Sequence, residues 1–173
     1  MKQIYIILTN TGTVLSKIIK IYTGDEFSHV SISLDKQLKE MYSFGRLNPY
    51  NPFIGGFIHE YIDKGTFKRF YNTKSKIYVI TVEDEKYEKI KEIIMNFKDE
   101  KEKYKFNILG LFGVGFNIKY RKENSFYCAE FVKYVVENSN LNIELPELIR
   151  PENFKDLYNA KEVYSGLLRK YSA

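Results

Sequence analysis

The sequence has a single cysteine among its 173 residues, and this scarcity excludes two kinds of protein. One thiol cannot form an internal disulfide framework, and it cannot supply a cysteine-rich zinc site. Because it also removes the usual argument for an oxidising compartment, we expect a cytoplasmic protein. The N-terminal segment MKQIYIILTNTG has a short apolar run without a small-residue cleavage site, which favours a first strand over a signal peptide.

Long apolar runs and clustered charge are also absent. No stretch approaches the roughly 18 apolar residues of a membrane span, so we expect no integral membrane segment. The net charge is +5, but basic and acidic residues are interleaved, as in EDEKYEKIKEI and KDEKEKYK. An electrostatic footprint for nucleic acid requires clustered basic residues, so we expect no nucleic-acid partner.

The chain has no repeat at a fixed period and no linker, and its length suits one domain, so we predict a single domain over 1–173. Strands clustered before and after helices indicate an α+β fold. The apolar patterns predict strands over 3–8, 28–34, 38–44, 57–62, 66–71, 76–82 and 162–168. They predict helices over 13–22, 84–99, 126–138 and 151–158. Glycines, prolines and asparagines predict a loop over 45–56.

Cys128 is the most informative residue for function. The helix predicted over 126–138 places it in the first turn, where unpaired backbone N–H groups and the positive end of the helix dipole favour a thiolate. The thiolate is the reactive form of a nucleophilic cysteine. The alternative is a small buried hydrophobic residue, because Cys128 shares an apolar helix face with Phe131 and Val135.

His29, one of two histidines in the chain, is the candidate base. It alternates with the apolar residues of the strand predicted over 28–34 and shares its polar face with Ser31 and Ser33. That face can approach the start of a helix packed on the sheet, and a Cys–His pair requires spatial rather than sequential adjacency. The alternative is a surface or hydrogen-bonded strand histidine.

A histidine base also needs a partner that fixes its tautomer and stabilises the imidazolium. Glu40 lies on the next predicted strand, where hairpin pairing can bring it beside His29, and Tyr42 or Ser43 can take its place. The alternative for Glu40 is an exposed strand carboxylate. Because only Glu40 lies on the adjoining strand, we expect Glu40→Gln to lower the rate more than Glu60→Gln.

His59 and Glu60 are weaker candidates, because a strand directs neighbouring side chains to opposite faces. Glu60 is expected in a supporting role, holding the predicted loop over 45–56 by hydrogen bonds. A zinc site built from the cysteine, both histidines and Glu60 would lack any compact ligand spacing, so we expect no metal.

Three stretches, FSHVSISLD, KEMYSFGR and FYCAEFV, follow one another in an informative order. Together they resemble the permuted papain-like amidases, the YiiX-like branch of the NlpC-type cysteine peptidase superfamily. In ordinary papain-like enzymes the cysteine precedes the histidine, whereas here the histidine precedes the cysteine, as in the circularly permuted branch. The resemblance spans roughly residues 1–140 in element order, and its specific motifs cover only the three stretches.

The resemblance implies a small antiparallel sheet or half-barrel packed against the helix that carries the nucleophile. It implies Cys128 as the nucleophile, His29 as the base, and a third polar residue on the following strand, which maps best onto Glu40. The backbone N–H of Cys128 would help to form the oxyanion hole, and Tyr127 would be a supporting residue. The implied activity is that of a cysteine hydrolase, an amidase or peptidase that cleaves an amide through an acyl-enzyme without a cofactor.

The substrate implied in this way is a small molecule, a peptide or an acyl amide. The predicted loop over 45–56, with Tyr50 and Phe53, would line its groove, and the alternative is a hydrophobic plug that closes the sheet. Two other functions stay open, a lipid acyltransferase or thioesterase with the same Cys–His site and a catalytically inactive binding module of the same fold. The sequence does not indicate the oligomeric state.

Overall fold

The structure is a computed structural model that describes residues 1–115, 118–120, 122–157 and 159–173, without the side chains at 14, 15, 18, 19, 52, 53 and 115. Its strands are β1 Lys2–Asn10, β2 His29–Ser33, β3 Met41–Asn48, β4 Asn51–Glu60, β5 Lys74–Val82, β6 Lys105–Phe106, β7 Ser125–Phe126 and β8 Lys161–Leu167. Its α-helices are α1 Val14–Thr23, α2 Gly65–Arg69, α3 Asp84–Asp99, α4 Ile108–Gly115 and α5 Cys128–Glu137. Short 3-10 helices lie at Lys101–Lys103, Pro151–Asp156 and Leu168–Lys170.

Six strands form one sheet in the order β4-β3-β2-β1-β5-β8, and each neighbouring pair is antiparallel. The two short strands β6 and β7 pair in parallel beside it. Helices α3 and α5 pack against the sheet. The predicted α+β class, with an antiparallel sheet packed against helices, is therefore confirmed.

Both faces of the central strands are buried. Ile4, Ile6 and Leu8 of β1 belong to the larger core, which α3 and α5 cover. The alternate side chains Tyr5 and Ile7 belong to a smaller core on the opposite face. The serines of β2 are accordingly fully buried, although the alternating pattern predicted a half-buried strand. The second layer explains the difference, because Phe67 of α2 and Leu168 close that face.

The segment over 45–56 is not a loop, so this prediction was wrong. β3 and β4 run through it as a hairpin, with Gly45 opposite Gly56 and a turn at Pro49–Tyr50. The glycines permit close approach within the sheet. A Cβ atom on Gly55 would lie 2.7 Å from Phe106 Cγ and 2.8 Å from the carbonyl oxygen of Gly45. A glycine-rich sequence marks a tight backbone approach here instead of a connection.

Helix α1, predicted over 13–22, is capped at both ends. The Thr13 hydroxyl accepts a hydrogen bond from the backbone N–H of Ser16 at 3.3 Å, and Gly24 ends the helix with a φ of +74°. The strand predicted over 66–71 is instead helix α2, whose Phe67 fills the smaller core. The helix predicted over 151–158 is a 3-10 helix at Pro151–Asp156, and position 158 lies outside the described residues.

Candidate active site

The Cys128 thiol lies in the first turn of α5, as the sequence predicted. Cys128 is the first residue of that helix and is 3% exposed. The preceding residue, Tyr127, fixes the start of the helix at two points. Its backbone N–H donates to the Glu130 carboxylate at 3.1 Å, and its hydroxyl donates to the carbonyl of Ile149 at 2.9 Å. The nucleophile candidate therefore occupies an anchored position at the positive end of a helix dipole.

His29 joins the thiol to a carboxylate. It is the first residue of β2, against which α5 packs, and it lines the same cavity as the Cys128 thiol, whose interaction with the imidazole raises the pKa of His29. Its Nε2 lies 3.0 Å from Oε1 of Glu60. Because Nε2 serves the carboxylate, Nδ1 is the ring nitrogen left for the thiol. The side chains of His29 and Glu60 are only 20% and 6% exposed, so this pair is largely shielded from water.

Glu60 reaches His29 from the far strand of the sheet. It ends β4, which is separated from β2 by β3, and its side chain lies on the face that also carries Ser31. One carboxylate oxygen accepts from His29, and the other accepts from the hydroxyl of Ser31. Both oxygens of Glu60 are therefore held by hydrogen bonds, which fixes the plane of the carboxylate against the imidazole.

This environment favours the protonated imidazole. Burial of the His29 ring disfavours its charged form, but the attraction and hydrogen bond of the Glu60 carboxylate and the interaction with Cys128 outweigh burial and raise the pKa of His29 to about 10. At neutral pH His29 therefore carries a positive charge between the carboxylate and the thiol.

Glu40, the predicted partner of His29, lies elsewhere. The β2–β3 register pairs Ser33 with Met41, and the backbone N–H of Leu34 donates to the carbonyl of Glu40 at 3.0 Å. The Glu40 carboxylate accepts from the Tyr42 hydroxyl. The predicted contact between Glu40 and His29 was wrong, because this register aligns Glu40 with the other end of β2 and sets Gly45 beside His29, where a Cβ atom would lie 3.4 Å from the ring.

Tyr42 and Ser43 have structural contacts. Tyr42 is fully buried in the larger core and stacks on Phe57 with ring centroids 5.8 Å apart. Ser43 is also fully buried, and its hydroxyl donates to the carbonyl of Val30 on the neighbouring strand at 2.7 Å. Neither side chain lines the cavity beside Cys128.

The two aromatic residues predicted for the substrate groove are separated from that cavity or undescribed. Tyr50 lies at the β3–β4 turn, is 79% exposed, and is covered by the Arg69 guanidinium at 3.8 Å from the ring centroid. The side chain of Phe53 lies outside the described part of the structure. Tyr50 therefore belongs to the hairpin surface and not to the walls of the cavity.

His59 points away from the cysteine. Its Nε2 donates to the carbonyl of Lys39 at 2.6 Å, its Nδ1 accepts from the Tyr61 hydroxyl at 2.9 Å, and its ring stacks on Tyr42. Within the described ranges, no three His, Cys, Asp or Glu side chains come together as a metal site. Nor does any helix there have the length and apolar character needed to cross a bilayer.

Cys128, His29 and Glu60 line a common cavity of about 70 Å³. Its apolar wall is formed by Phe44, Phe67, Phe106 and Leu111. Its polar wall comprises Arg46 and hydroxyl groups that include those of Thr13 and Ser16 at the start of α1. A carbonyl group entering this cavity would meet the thiol, the imidazole and the start of α5 together.

A thiol, and an imidazole hydrogen-bonded to a carboxylate, on one cavity are the parts of a nucleophile, a base and an orienting group. Backbone N–H groups in the first turn of a helix have no intrahelical acceptor, so the N–H of Cys128 suits an oxyanion. Sequence reasoning found Cys128 and His29 but not the position of Glu60, whose approach depends on pairing across two strands. No protein-family model and no curated protein matches this chain.

Proposed function

We propose that this protein is a cysteine-dependent hydrolase that cleaves an amide bond, an amidase or peptidase. The observation that carries the proposal is that Cys128 shares one cavity with His29, whose ring is hydrogen-bonded to Glu60. A cysteine that only fills a core needs neither a charged imidazole beside it nor a carboxylate behind that imidazole.

The proposed reaction has two steps. The Cys128 sulfur, as a thiolate paired with protonated His29, attacks the carbonyl carbon, and His29 gives its proton to the departing amine as the C–N bond breaks. His29 then takes a proton from water, which attacks the resulting thioester, releases the acid and restores the thiolate. The N–H of Cys128 would stabilise the oxyanion in both steps, an effect of about 3–4 kcal/mol per donor in well-studied cases.

Glu60 takes the orienting role in this proposal. Its carboxylate holds Nε2–H of His29, so that Nδ1 faces the thiol, and the hydroxyl of Ser31 holds the carboxylate in turn. The carboxylate also stabilises the imidazolium that the ion pair requires. The Glu40 carboxylate accepts a hydrogen bond from the Tyr42 hydroxyl instead.

The order of the elements supports a permuted papain-like architecture. The histidine strand β2 precedes the cysteine helix α5, and α5 packs against β2 within an antiparallel sheet. This is the arrangement that the resemblance to the permuted papain-like amidases implies. The permutation and the amidase activity form one proposal, since both depend on Cys128 and His29 acting together.

The proposal is tested with a panel of aminoacyl and N-acyl arylamides, short peptides, aryl esters and thioesters. We expect turnover of amides by the wild type and a loss of at least about 1000-fold in kcat/KM for Cys128→Ala, because no other thiol can replace the nucleophile. Wild-type activity in Cys128→Ala would exclude a cysteine mechanism.

The same panel compares two carboxylates, Glu60 at the end of β4 and Glu40 just before β3. We expect Glu60→Gln to lower kcat by about 100-fold or more, because the amide cannot stabilise the imidazolium. Glu40→Gln is the matched control and should stay within about twofold of wild type, as expected for a surface change. A larger loss of kcat in Glu40→Gln than in Glu60→Gln would contradict the orienting role of Glu60.

The apolar wall of the cavity favours a second candidate function, the hydrolysis or transfer of an acyl chain. Phe44, Phe67, Phe106 and Leu111 offer an acyl chain a surface free of charge. A thioesterase or lipid acyltransferase would use the same thiol and imidazole on an ester or thioester carbonyl. Turnover of long-chain thioesters without turnover of amides would establish this alternative.

A further inference from the structure

Arg46 stands beside the proposed catalytic residues. It lies on β3 directly after Gly45, where a Cβ atom would lie 3.4 Å from the His29 ring, and it lines the cavity that contains Cys128. Its side chain is half-buried. A guanidinium in this position faces whatever binds next to the thiol.

Within the described part of the chain, the guanidinium of Arg46 is only partly satisfied. It has five N–H donors, and the described residues give it one hydrogen bond, to the Thr13 hydroxyl at 2.9 Å. It also lies 5.7 Å from the centroid of the Phe70 ring. All aspartates and glutamates of the chain lie within the described residues, and none forms an ion pair with Arg46.

The neighbouring charge that acts on Arg46 is another arginine, Arg69. Burial and the repulsion of Arg69 lower the pKa of Arg46. A half-buried cation without a counter-ion is unfavourable, and an anion that entered the cavity would relieve this cost.

The rest of the cavity is also electrostatically positive. Helix α1 starts at its wall, and no acidic residue lies in the first turn of that helix, so its positive end is not neutralised. Helix α5 starts at Cys128 on the same cavity. Among the described lining residues, Glu60 is the one carboxylate, and it is paired with protonated His29.

We propose that Arg46 binds a carboxylate of the substrate, so that the preferred substrate is an amide with a free carboxylate close to the cleaved bond. This inference rests on the proposed function and names its substrate class. Guanidinium groups bind carboxylates through two parallel N–H···O bonds, and they bind phosphate in the same way. A phosphoryl group on the substrate would therefore make the same contacts with Arg46, and the test below distinguishes it from a carboxylate.

The test uses two alkylating agents that differ by one negative charge, iodoacetate and iodoacetamide. Both react with the single cysteine, so the ratio of their rate constants measures anion recruitment without a known substrate. Relative to free cysteine, we expect wild-type protein to favour iodoacetate by about tenfold, the effect of one charge-assisted hydrogen bond. Arg46→Gln should return this normalised ratio to within about twofold of free cysteine.

Two variants control the experiment. Arg169→Gln removes the same charge from an exposed arginine that also lies over an aromatic ring, at 5.4 Å from Tyr71, and it should retain the wild-type ratio. Arg46→Lys keeps the charge without the planar guanidinium and should retain part of the preference. An equal fall of the ratio in Arg169→Gln and Arg46→Gln would contradict a local site and overturn the proposal.

Protection of Cys128 from iodoacetamide identifies the anion. N-acetylglycine and inorganic phosphate are compared in wild-type protein and in Arg46→Gln. Protection that Arg46→Gln abolishes supports the site. The anion that protects Cys128 at the lower concentration shows whether the site prefers a carboxylate or a phosphate. Rapid alkylation with an unaltered ratio in Arg46→Gln overturns the anion site alone, whereas wild-type alkylation no faster than that of free cysteine overturns the proposed function as well.

Discussion

At the scale of single residues, His29 is central, because its ring connects the carboxylate of Glu60 to the thiol of Cys128. The contact between His29 and Glu60 couples the chemistry of the site to folding. A histidine whose pKa is raised in the folded protein binds its proton more tightly there than in the unfolded chain. The ion pair therefore stabilises the fold over the pH range in which the folded protein keeps this proton.

The predicted pH dependence follows from the pKa of about 10. The stabilisation is fully present below the unfolded value of about 6.5 and is lost as pH rises through the folded value. In urea unfolding at pH 6, 8 and 10, we expect the free energy of unfolding to fall more steeply in wild type than in Glu60→Gln. Parallel pH profiles for the two proteins would contradict the His29–Glu60 pair.

Nuclear magnetic resonance gives a direct check of the same pair. With labelled histidine, the His29 resonance should titrate near pH 10 in wild type, and its midpoint should move towards lower pH in Glu60→Gln. In the described structure the ring of His59 is hydrogen-bonded to the carbonyl of Lys39 and the hydroxyl of Tyr61 and not to the Glu60 carboxylate, so its resonance is an internal control.

At the scale of elements, the β3–β4 hairpin determines the site, because it brings Glu60 and Arg46 to the same cavity. Its glycines allow the hairpin to pack tightly against β6. The hairpin is therefore sensitive to side chains at positions where the sequence alone suggests a tolerant loop.

Two neighbouring glycines test this packing. We expect Gly55→Ala to destabilise the protein by about 1–3 kcal/mol, because its Cβ would lie 2.7 Å from Phe106 Cγ and 2.8 Å from a backbone oxygen. Gly56→Ala is the matched control, since its nearest neighbour is Leu47 Cδ1 at 3.5 Å, an ordinary contact, and its change should stay within about 0.5 kcal/mol. Urea unfolding of both variants measures the difference, and equal effects would contradict the packing of the hairpin.

Local patterns predicted the elements whose signals lie within a few residues of sequence. The periodicity of Ile90, Ile94 and Phe97 identified α3. For α1, Gly24 indicated the end of the helix, while Thr11 and Thr13 were both candidates for its start, which the structure places after Thr13. Cys128 in the first turn of a helix also followed from local spacing. In each case the residues that make the contact are close neighbours in the chain.

Long-range pairing was not predictable in the same way. Glu60 meets His29 only because β3 lies between β4 and β2 in one particular register, and 31 residues separate the two in sequence. The prediction of a loop over 45–56 shortened β3 and β4 and left out most of the pairing between them, which fixes the position of Glu60. A shift of one residue in either pairing would direct Glu60 to the opposite face.

At the scale of the whole molecule, the central strands of the sheet are covered on both faces, and residues at the starts of α1, β2 and α5 line one cavity. Two helix starts and a half-buried arginine make this region positive, while His29 neutralises the one carboxylate in its described lining. The architecture thus combines an anchored thiol with an electrostatic field that would suit the oxyanion of the proposed reaction.

The most direct measurement of the central claim is the rate of Cys128 alkylation by iodoacetamide between pH 5 and 10, for wild type and His29→Ala. The chain has one thiol, so the signal has a single source. We predict rapid alkylation in wild type that persists well below pH 8.5, the approximate pKa of a free thiol, and that His29→Ala abolishes below that pH. Slow alkylation that rises only near pH 8.5, with the same profile in both proteins, would contradict an activated Cys–His pair and with it the proposed enzyme.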